Sequence, residues 1–277
     1  MALLNFIPPI IAHRGASSQA PENTLAAFIK AAQLGVRWIE FDVLLAACQT
    51  PIIFHDADLD RTTNGHGLVY EYPYTVLQTL DAGSWFHPHF TGERILTLQQ
   101  ALAFFQNSGL NANIELKALP GTEEQLVRQV AKVVTPYLLE ARFTILFSSF
   151  SVVALEWMRR IVPDSLLALN VEDWHADRLA ESKALHCVSL HLADELVTPA
   201  VVQTIKESGK MVLAYTVNEE AMAQQFFSWG VDAVFSDIPL NLDFTPPPFT
   251  GRRRPALVAG VPEGRERGVR WRRDFNR

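Results

Sequence analysis

Apolar runs of strand length alternate with amphipathic runs of helix length along most of this chain, and that rhythm restricts the fold more than any other feature. The strand-length runs are Ile10–Arg14, Trp38–Val43, Ala112–Lys117, Phe143–Ser149, Leu166–Val171, Cys187–Leu192, Met211–Val217 and Ala233–Asp237. Between them lie Asn23–Leu34, Leu98–Asn107, Glu123–Leu138, Val152–Ile161, Trp174–Lys183, Pro199–Ser208 and Glu219–Trp229, whose apolar residues recur at helical spacing. Gly35, Gly109, Gly209 and Gly230 sit where four of these helices stop, a position that favours left-handed backbone. Eight strand-length runs in 277 residues predict an α/β fold closed into a (β/α)8, or TIM, barrel. An open, doubly wound sheet is the competing arrangement. Against it, the first strand is followed by His13-Arg14-Gly15 and not by a G-x-G-x-x-G loop.

One apolar run breaks the rhythm. Pro51–His55 follows the second strand too closely for a parallel crossover, so it is expected to fold back on Phe41–Leu45 with its turn near Ala47-Cys48. That hairpin brings His55 beside Glu40 and Asp42. Residues 56–96 then form a small insertion after the second strand, rich in turn residues and aromatics. The barrel is expected to span residues 1–250. Beyond it, nine arginines face Glu263, Glu266 and Asp274 without helical or strand periodicity, which reads as a basic, flexible tail at 251–277. The whole chain carries −6, so the body without the tail carries −12, a field that opposes nucleic acid. No run approaches the roughly 20 unbroken apolar residues of a membrane helix. The start lacks a basic region and a small-residue cleavage site, so no secretory signal is expected. Cys48 and Cys187 are the only cysteines, which suits a reducing compartment, and a cytoplasmic location is expected.

In such a barrel the chemistry gathers at the C-terminal ends of the strands. Those ends carry His13 and Arg14 on the first strand, Glu40 and Asp42 on the second, and Glu115 and Lys117 on the third; the hairpin adds His55 and Asp56. Residues two apart on a strand share a face, so Glu40 lies with Asp42 and Glu115 with Lys117. Three carboxylates in one half-buried cleft repel one another. Arg14 and Lys117 offset part of that repulsion. A divalent cation would offset the rest, and oxygen donors alone select Mg2+ or Ca2+. Each residue singly has an ordinary structural explanation: a strand-end histidine satisfied by a neighbour, or a Glu115–Lys117 ion pair. Their convergence from three strands on one mouth argues for a reaction centre.

Further segments sharpen that reading. Ile11-Ala12-His13-Arg14-Gly15 with Ala20-Pro21-Glu22-Asn23-Thr24-Leu25, then Glu40-Phe41-Asp42-Val43, Phe54-His55-Asp56 and Leu59-Asp60-Arg61-Thr62-Thr63-Asn64-Gly65, resemble the glycerophosphodiester phosphodiesterases. The resemblance continues through Asp81-Ala82-Gly83-Ser84-Trp85, Ile114-Glu115-Leu116-Lys117, Ser148-Ser149-Phe150, Tyr215-Thr216-Val217-Asn218 and Gly230-Val231-Asp232 with Ser236-Asp237. It is greatest to the short cytoplasmic bacterial enzymes. It implies a (β/α)8 barrel that hydrolyses a small-molecule glycerophosphodiester to glycerol 3-phosphate and an alcohol. It further implies that His13 and His55 are the general base and acid, that Glu40, Asp42 and Glu115 ligate one divalent ion, and that Arg14 and Lys117 bind phosphate.

Those roles suit the chemistry. A phosphodiester is anionic and resists nucleophiles, so cations must face its non-bridging oxygens. Two histidines exchange protons near neutral pH, and nearby carboxylates are expected to raise their pKa values. Asn23 or Thr24 is expected to cap the first helix. Glu22 is expected at the cleft, Asp56 as an orienting group, and Asp237 as an orienting group at the last strand. Trp85 with Phe86 is expected either to wall the substrate or to pack.

The chain departs from the family pattern in its hairpin turn, Ala46-Ala47-Cys48-Gln49-Thr50 where an aspartate-glycine turn is usual, and in Tyr215, where a tryptophan is usual. Two alternatives stand beside the leading reading. A lysophospholipase D-type barrel would need an exposed apolar rim for an acyl chain. A non-catalytic phosphate-ligand scaffold would carry a damaged catalytic set. The sequence names neither the alcohol nor an oligomeric state.

Overall fold

In a computed structural model of the chain, the described residues run from 7 to 238. The basic tail expected at 251–277 lies outside them. The elements are β1 (Ile10–His13), α1 (Leu25–Gln33), β2 (Trp38–Leu45), β3 (Pro51–Ile53), α2 (Tyr74–Leu77), α3 (Leu98–Ser108), β4 (Asn111–Leu116), α4 (Glu123–Glu140) and β5 (Ile145–Ser149). They continue with α5 (Val152–Ile161), β6 (Leu166–Val171), α6 (Ala176–Ala184), β7 (Ser189–Ala193), α7 (Pro199–Glu207), β8 (Met211–Tyr215), α8 (Glu220–Ser228) and β9 (Ala233–Ser236).

The parallel strands neighbour one another in the order β1, β2, β4, β5, β6, β7, β8, β9, and β9 returns to β1, so the sheet closes. This is the (β/α)8 barrel that the alternation predicts. Closure pairs Ile11 with Phe235 and Ala12 with Ser236 on one side of β1, and His13 with Glu40 on the other. The next ladder pairs Asp42 with Glu115. Three charged strand ends are thereby brought to one mouth by backbone hydrogen bonds alone.

The expected hairpin is present. β3 runs antiparallel on β2, with Val43 opposite Ile53 and Leu45 opposite Pro51. The turn closes through Gln49 N–H donating to Ala46 O at 2.8 Å, and Gln49 takes a left-handed φ of 61°. That is the conformation glycine adopts most cheaply, so this turn forms without the usual glycine at a cost of about 1–2 kcal/mol.

Helix ends follow local chemistry. Thr24, not Asn23, caps α1 by accepting from Ala27 N–H. Thr97 and Gln100 form a reciprocal capping box at α3, which stops at left-handed Gly109 (φ 68°). α4 outruns its expected end at Leu138 and stops at left-handed Ala141.

Apolar burial occurs in three places. Ile11, Trp38, Leu146, Ala168, Leu213, Ala233 and Phe235 form a floor inside the barrel. Between strands and helices lies a larger cluster, in which Phe28, Phe41 and Phe105 pack with ring centroids 5.3–5.5 Å apart. Each such buried ring contributes about 1.5–3 kcal/mol. The hairpin and insertion have their own small core, including Ile52, Phe54, Leu59, Val69, Leu77 and Ile95. Asp81 ties that insertion by accepting from the backbone N–H groups of Gly83, Ser84 and Gly92. Among the described residues, no helix is long and apolar enough to cross a membrane.

Candidate active site

The chain turns sharply after His13. Arg14 adopts a left-handed φ of 55°, which aims its backbone N–H at Glu40 Oε2, 3.0 Å away. Asn23 is also left-handed, at 58°, and its N–H donates to Arg14 O at 3.0 Å. Such backbone costs about 1–2 kcal/mol per non-glycine residue, so surrounding contacts must hold both turns. Gly15 between them is required: a Cβ there would stand 2.7 Å from Ala27 Cβ of α1.

Glu40, Asp42 and Glu115 each place a carboxylate oxygen within 4.8 Å of the others. Glu40 and Asp42 are buried and Glu115 is half-buried. Lys117 Nζ donates to Glu115 Oε1 at 3.0 Å and lies 3.6 Å from Asp42 Oδ1. Arg14 Nε lies 3.3 Å from Asp42 Oδ2. Asn23 Nδ2 donates to Asp42 Oδ2 at 2.8 Å, and Asn170 Nδ2 from β6 donates to Glu115 Oε2 at 3.2 Å.

These neighbours divide the three acids. Burial pushes Asp42 upward, but Lys117 and Arg14 outweigh it and hold the carboxyl below the usual aspartate range. Burial, with Asp42 and Glu115 alongside, pushes Glu40 well above the usual range. Burial and Asp42 also raise Glu115, against Lys117. Two protein cations therefore leave the cluster under-compensated. Glu40 Oε1 is buried without a hydrogen-bond partner. A buried, unsatisfied acceptor amid three converging carboxylates fits a divalent cation, and the all-oxygen donor set excludes a preference for soft metals.

The two histidines flank this cluster. His13 Nδ1 lies 2.7 Å from Asp237 Oδ1, and its Nε2 lies 3.9 Å from Glu40 Oε2. Burial works against the Asp237 charge, yet His13, Asn218 and Ser17 hold its carboxyl down at about 2. An ionised carboxylate only accepts, so His13 Nδ1 carries the proton and Nε2 faces the carboxylates. Asn218 Nδ2 donates to Asp237 Oδ2 at 2.8 Å and Ser17 Oγ to Oδ1 at 2.9 Å.

His55 follows β3, where Phe54 N–H donates to Asp42 O at 3.1 Å. Its Nδ1 lies 2.5 Å from Asp56 Oδ1. Arg61 from the insertion holds Asp56 with Nε and Nη2, at 2.6 and 2.9 Å, and grips both oxygens of Glu22 at 2.7 and 2.8 Å. Glu22 accepts in turn from Arg14 Nη1 at 2.8 Å. Hydrogen bonds from Arg61 pull Asp56 down to about 2. The expectation that carboxylates raise the histidine pKa fails at His55, whose pKa is lowered. Burial is the largest cause, and Arg14 and Lys117 add to it, so Asp42 and Asp56 do not prevail.

A cavity of about 580 Å3 meets this site along one side. His55, Glu115 and Lys117 stand at its polar end, and Leu44, Val69, Tyr70, Leu119 and Phe150 line the rest. Tyr215 Oη donates to Val171 O at 3.0 Å, and its ring stands edge-on to Phe150 at 5.9 Å. Trp85 is not among the residues lining the cavity. Its Nε1 donates to Ala82 O and its ring packs edge-on to Phe86, within the insertion.

His13, Arg14, Glu22, Glu40, Asp42, His55, Asp56, Glu115 and Lys117 thus belong to one connected cluster. Sequence reasoning passed over Asn23 as a partner of Asp42, and Arg61, Asn170, Ser17 and Asn218 altogether. Of these, Arg61 and Asn218 stand inside segments that carry the family resemblance; Asn170, one residue from the end of β6, offers only its strand-end position.

Residues 13–241 match the model of the glycerophosphoryl diester phosphodiesterase family. A glycerophosphodiester phosphodiesterase of Caldanaerobacter subterraneus subsp. tengcongensis is 34% identical over 242 residues, covering 84% of this chain and 95% of the relative. Among solved structures, an Oleispira antarctica phosphodiesterase in complex with the product sn-glycerol-3-phosphate is 39% identical with a TM-score of 0.83, covering 85% of this chain and 95% of that one. A glycerophosphodiester phosphodiesterase of Agrobacterium tumefaciens is 28% identical with a TM-score of 0.71, covering 84% and 97%.

Proposed function

The chain belongs to the glycerophosphoryl diester phosphodiesterase family, and from that membership together with the site we propose a metal-dependent, two-histidine hydrolysis of glycerophosphodiesters to glycerol 3-phosphate and an alcohol. Glycerophosphocholine and glycerophosphoethanolamine are the first substrates to consider. The observation that carries the reading is the pair of aspartate-tethered imidazoles beside an under-compensated carboxylate cluster. The glycerol 3-phosphate bound by the Oleispira relative supports the same product here. A scaffold without activity would need a damaged set, and this set is whole by residue type and by contact.

Glu40, Asp42 and Glu115 would hold one Mg2+ or Ca2+ ion. When bound, such an ion draws charge from the phosphoryl oxygens. Arg14 and Lys117 add fixed positive charge at the same mouth, in a half-buried setting where it acts more strongly than in water. His13, with its proton fixed on Nδ1, presents a free Nε2 lone pair and takes the proton of the attacking hydroxyl. His55 delivers a proton to the departing alkoxide. Asp237 and Asp56 keep the two rings in the tautomer that these roles require. The cysteine usage, two free thiols and no disulfide among the described residues, favours a cytoplasmic enzyme.

The test is release of glycerol 3-phosphate from glycerophosphocholine and glycerophosphoethanolamine with Mg2+, with Ca2+ and with chelator, alongside His13→Ala. Release that requires the ion and is lost with His13 is expected. A folded protein that releases nothing from either diester with either ion overturns the reading.

A further inference from the structure

We infer that Asn170 is a positioning residue for the ion site: its side-chain amide sets the orientation of Glu115, and Tyr215 holds the strand end that carries it. The inference rests on the phosphodiesterase reading above, in which Glu115 is one of three carboxylates that hold a divalent ion.

Placement is the first argument. β6 and β4 are not neighbours in the barrel; β5 lies between them. Glu115 pairs in register with Ser148 of β5, and Ser148 with Ala168 of β6, so these residues stand at one level inside the barrel. Asn170 follows Ala168 by two residues and therefore points to the same face, nearer the mouth. Ser148 and Ala168 are small, and Ser148 Oγ already accepts from Asn113 Nδ2 at 3.0 Å. The amide of Asn170 thus reaches over them, and Nδ2 donates to Glu115 Oε2 at 3.2 Å. Lys117 Nζ donates to Oε1 at 3.0 Å from the other side. A carboxylate with one donor on each oxygen, from two different strands, can neither swing nor rotate freely. Each oxygen keeps a lone pair for an ion.

Cost is the second argument. Asn170 is the only polar residue of β6, among Leu166, Leu167, Ala168, Leu169 and Val171. It is 6% exposed, and its Oδ1 is buried without a hydrogen-bond partner. The amide cannot be turned to hide that oxygen, because an ionised Glu115 only accepts and must face Nδ2. A buried acceptor left unmatched weakens a fold. An apolar side chain would serve stability better at this position, so the amide is explained by its hold on Glu115.

Support from the neighbouring strand is the third. Tyr215 Oη donates to the backbone O of Val171 at 3.0 Å. Val171 is the residue after Asn170 and the last of β6, so the hydroxyl ties the end of β8 to the end of β6 across β7. The chain of contacts runs Tyr215, Val171, Asn170, Glu115.

The experiment measures the dissociation constants of Mg2+ and of Ca2+ by calorimetry on ion-free, full-length protein, together with the ion-free melting midpoint. Asn170→Leu keeps the volume and removes the donor. It should weaken the tighter-binding ion by about 10–100-fold. Its ion-free midpoint should stay within about 3 °C of wild type, because the lost hydrogen bond is offset by removal of the unmatched oxygen. Tyr215→Phe removes only the hydroxyl and should weaken the ion about threefold. The double variant should bind no more weakly than Asn170→Leu alone, since both changes act on one contact. Ser165→Ala deletes another buried, unpartnered oxygen, just before the opposite end of β6, and should leave affinity within about twofold. Wild-type affinity in folded Asn170→Leu overturns the inference, and so does a lowered midpoint with affinity intact, which is the mark of a structural role. Were Asn170→Leu not to fold, wild-type affinity in Tyr215→Phe would overturn it. Losses that add in the double variant break the link from Tyr215 to Asn170. Wild-type protein that binds neither ion and hydrolyses neither diester fails the functional reading. Wild-type protein that does both, beside an Asn170→Leu variant of equal affinity, fails the inference alone.

Discussion

His13 and His55 face the same carboxylates but are held by parts of the chain built on different plans. His13 ends a barrel strand, and its aspartate lies 224 residues away across the closing seam. That aspartate is fixed by Asn218 and Ser17, which belong to the barrel mouth. His55 leaves a hairpin, and its aspartate is the next residue. The orientation of that pair is supplied by Arg61, from an insertion with a separate small core, and Glu22 links it back to Arg14. One imidazole is set by the barrel itself, the other by a clamp laid over it. Ring orientation is thus reached by long-range register at one histidine and by a local ion network at the other.

The comparison yields ordered expectations. The largest effects come from the imidazoles. His13→Ala and His55→Ala should each lower kcat by about 10²–10⁴-fold with unchanged circular dichroism. A variant that keeps a tenth of the activity would show that its ring is not half of an acid–base pair. Next are the tethers. Asp237→Asn should cost about a hundredfold in kcat, because Asn218 and Ser17 lock the amide in place and impose the wrong tautomer. Asp56→Asn should cost about tenfold, because Arg61 is released along with it. Reversal of that order in steady-state kinetics would break the contrast between a rigid and a clamped histidine. Arg61→Ala should lower kcat about tenfold, with KM little changed, and widen the pH profile on the His55 limb. Loss confined to KM would make Arg61 a substrate contact instead.

The smallest effect is on stability against acid. Asp237 and Asp56 sit at about 2 in the folded chain, below the ordinary aspartate value near 3.9. Their contribution is complete above about pH 4 and is lost as pH falls toward 2. With side chains 33% and 20% exposed, solvent screening limits each to about 1–2 kcal/mol. Acid unfolding followed by fluorescence should flatten between pH 4 and pH 2 in Asp237→Asn and Asp56→Asn, and an unaltered slope would detach these residues from their histidines.

Much of this was legible in residue order. Period-two and period-3.6 runs define the barrel, and the shortness of the gap before Pro51 dictates the hairpin that returns His55. Strand-end position brings Glu40, Asp42 and Glu115 together because a parallel ladder keeps in-phase residues on one face. The Arg61–Glu22–Arg14 chain was not legible, since it spans 39 residues between insertion and first helix and depends on how the insertion lies. Asn23 presents itself as a helix cap, and only its left-handed backbone turns the side chain to Asp42. The direction of the His55 shift depends on burial competing with two cations and two anions, which residue types alone do not weigh. The cavity beside His55 is lined from β2, the insertion, the end of β4 with the start of α4, and the segment after β5, which share no periodicity.

The pairing of His13 with Asp237 also sets a schedule. The ribosome delivers His13 at the start and Asp237 224 residues later, about 10–45 s at ordinary elongation rates. Throughout that interval the imidazole has no fixed tautomer and Glu40, Asp42 and Glu115 lack a finished barrel around them. On the roles proposed above, a nascent chain lacks the tether of its base, and turnover is expected only once the last strand docks beside the first. On those roles, the contact that orients the ring would also make activity a report that the barrel has shut.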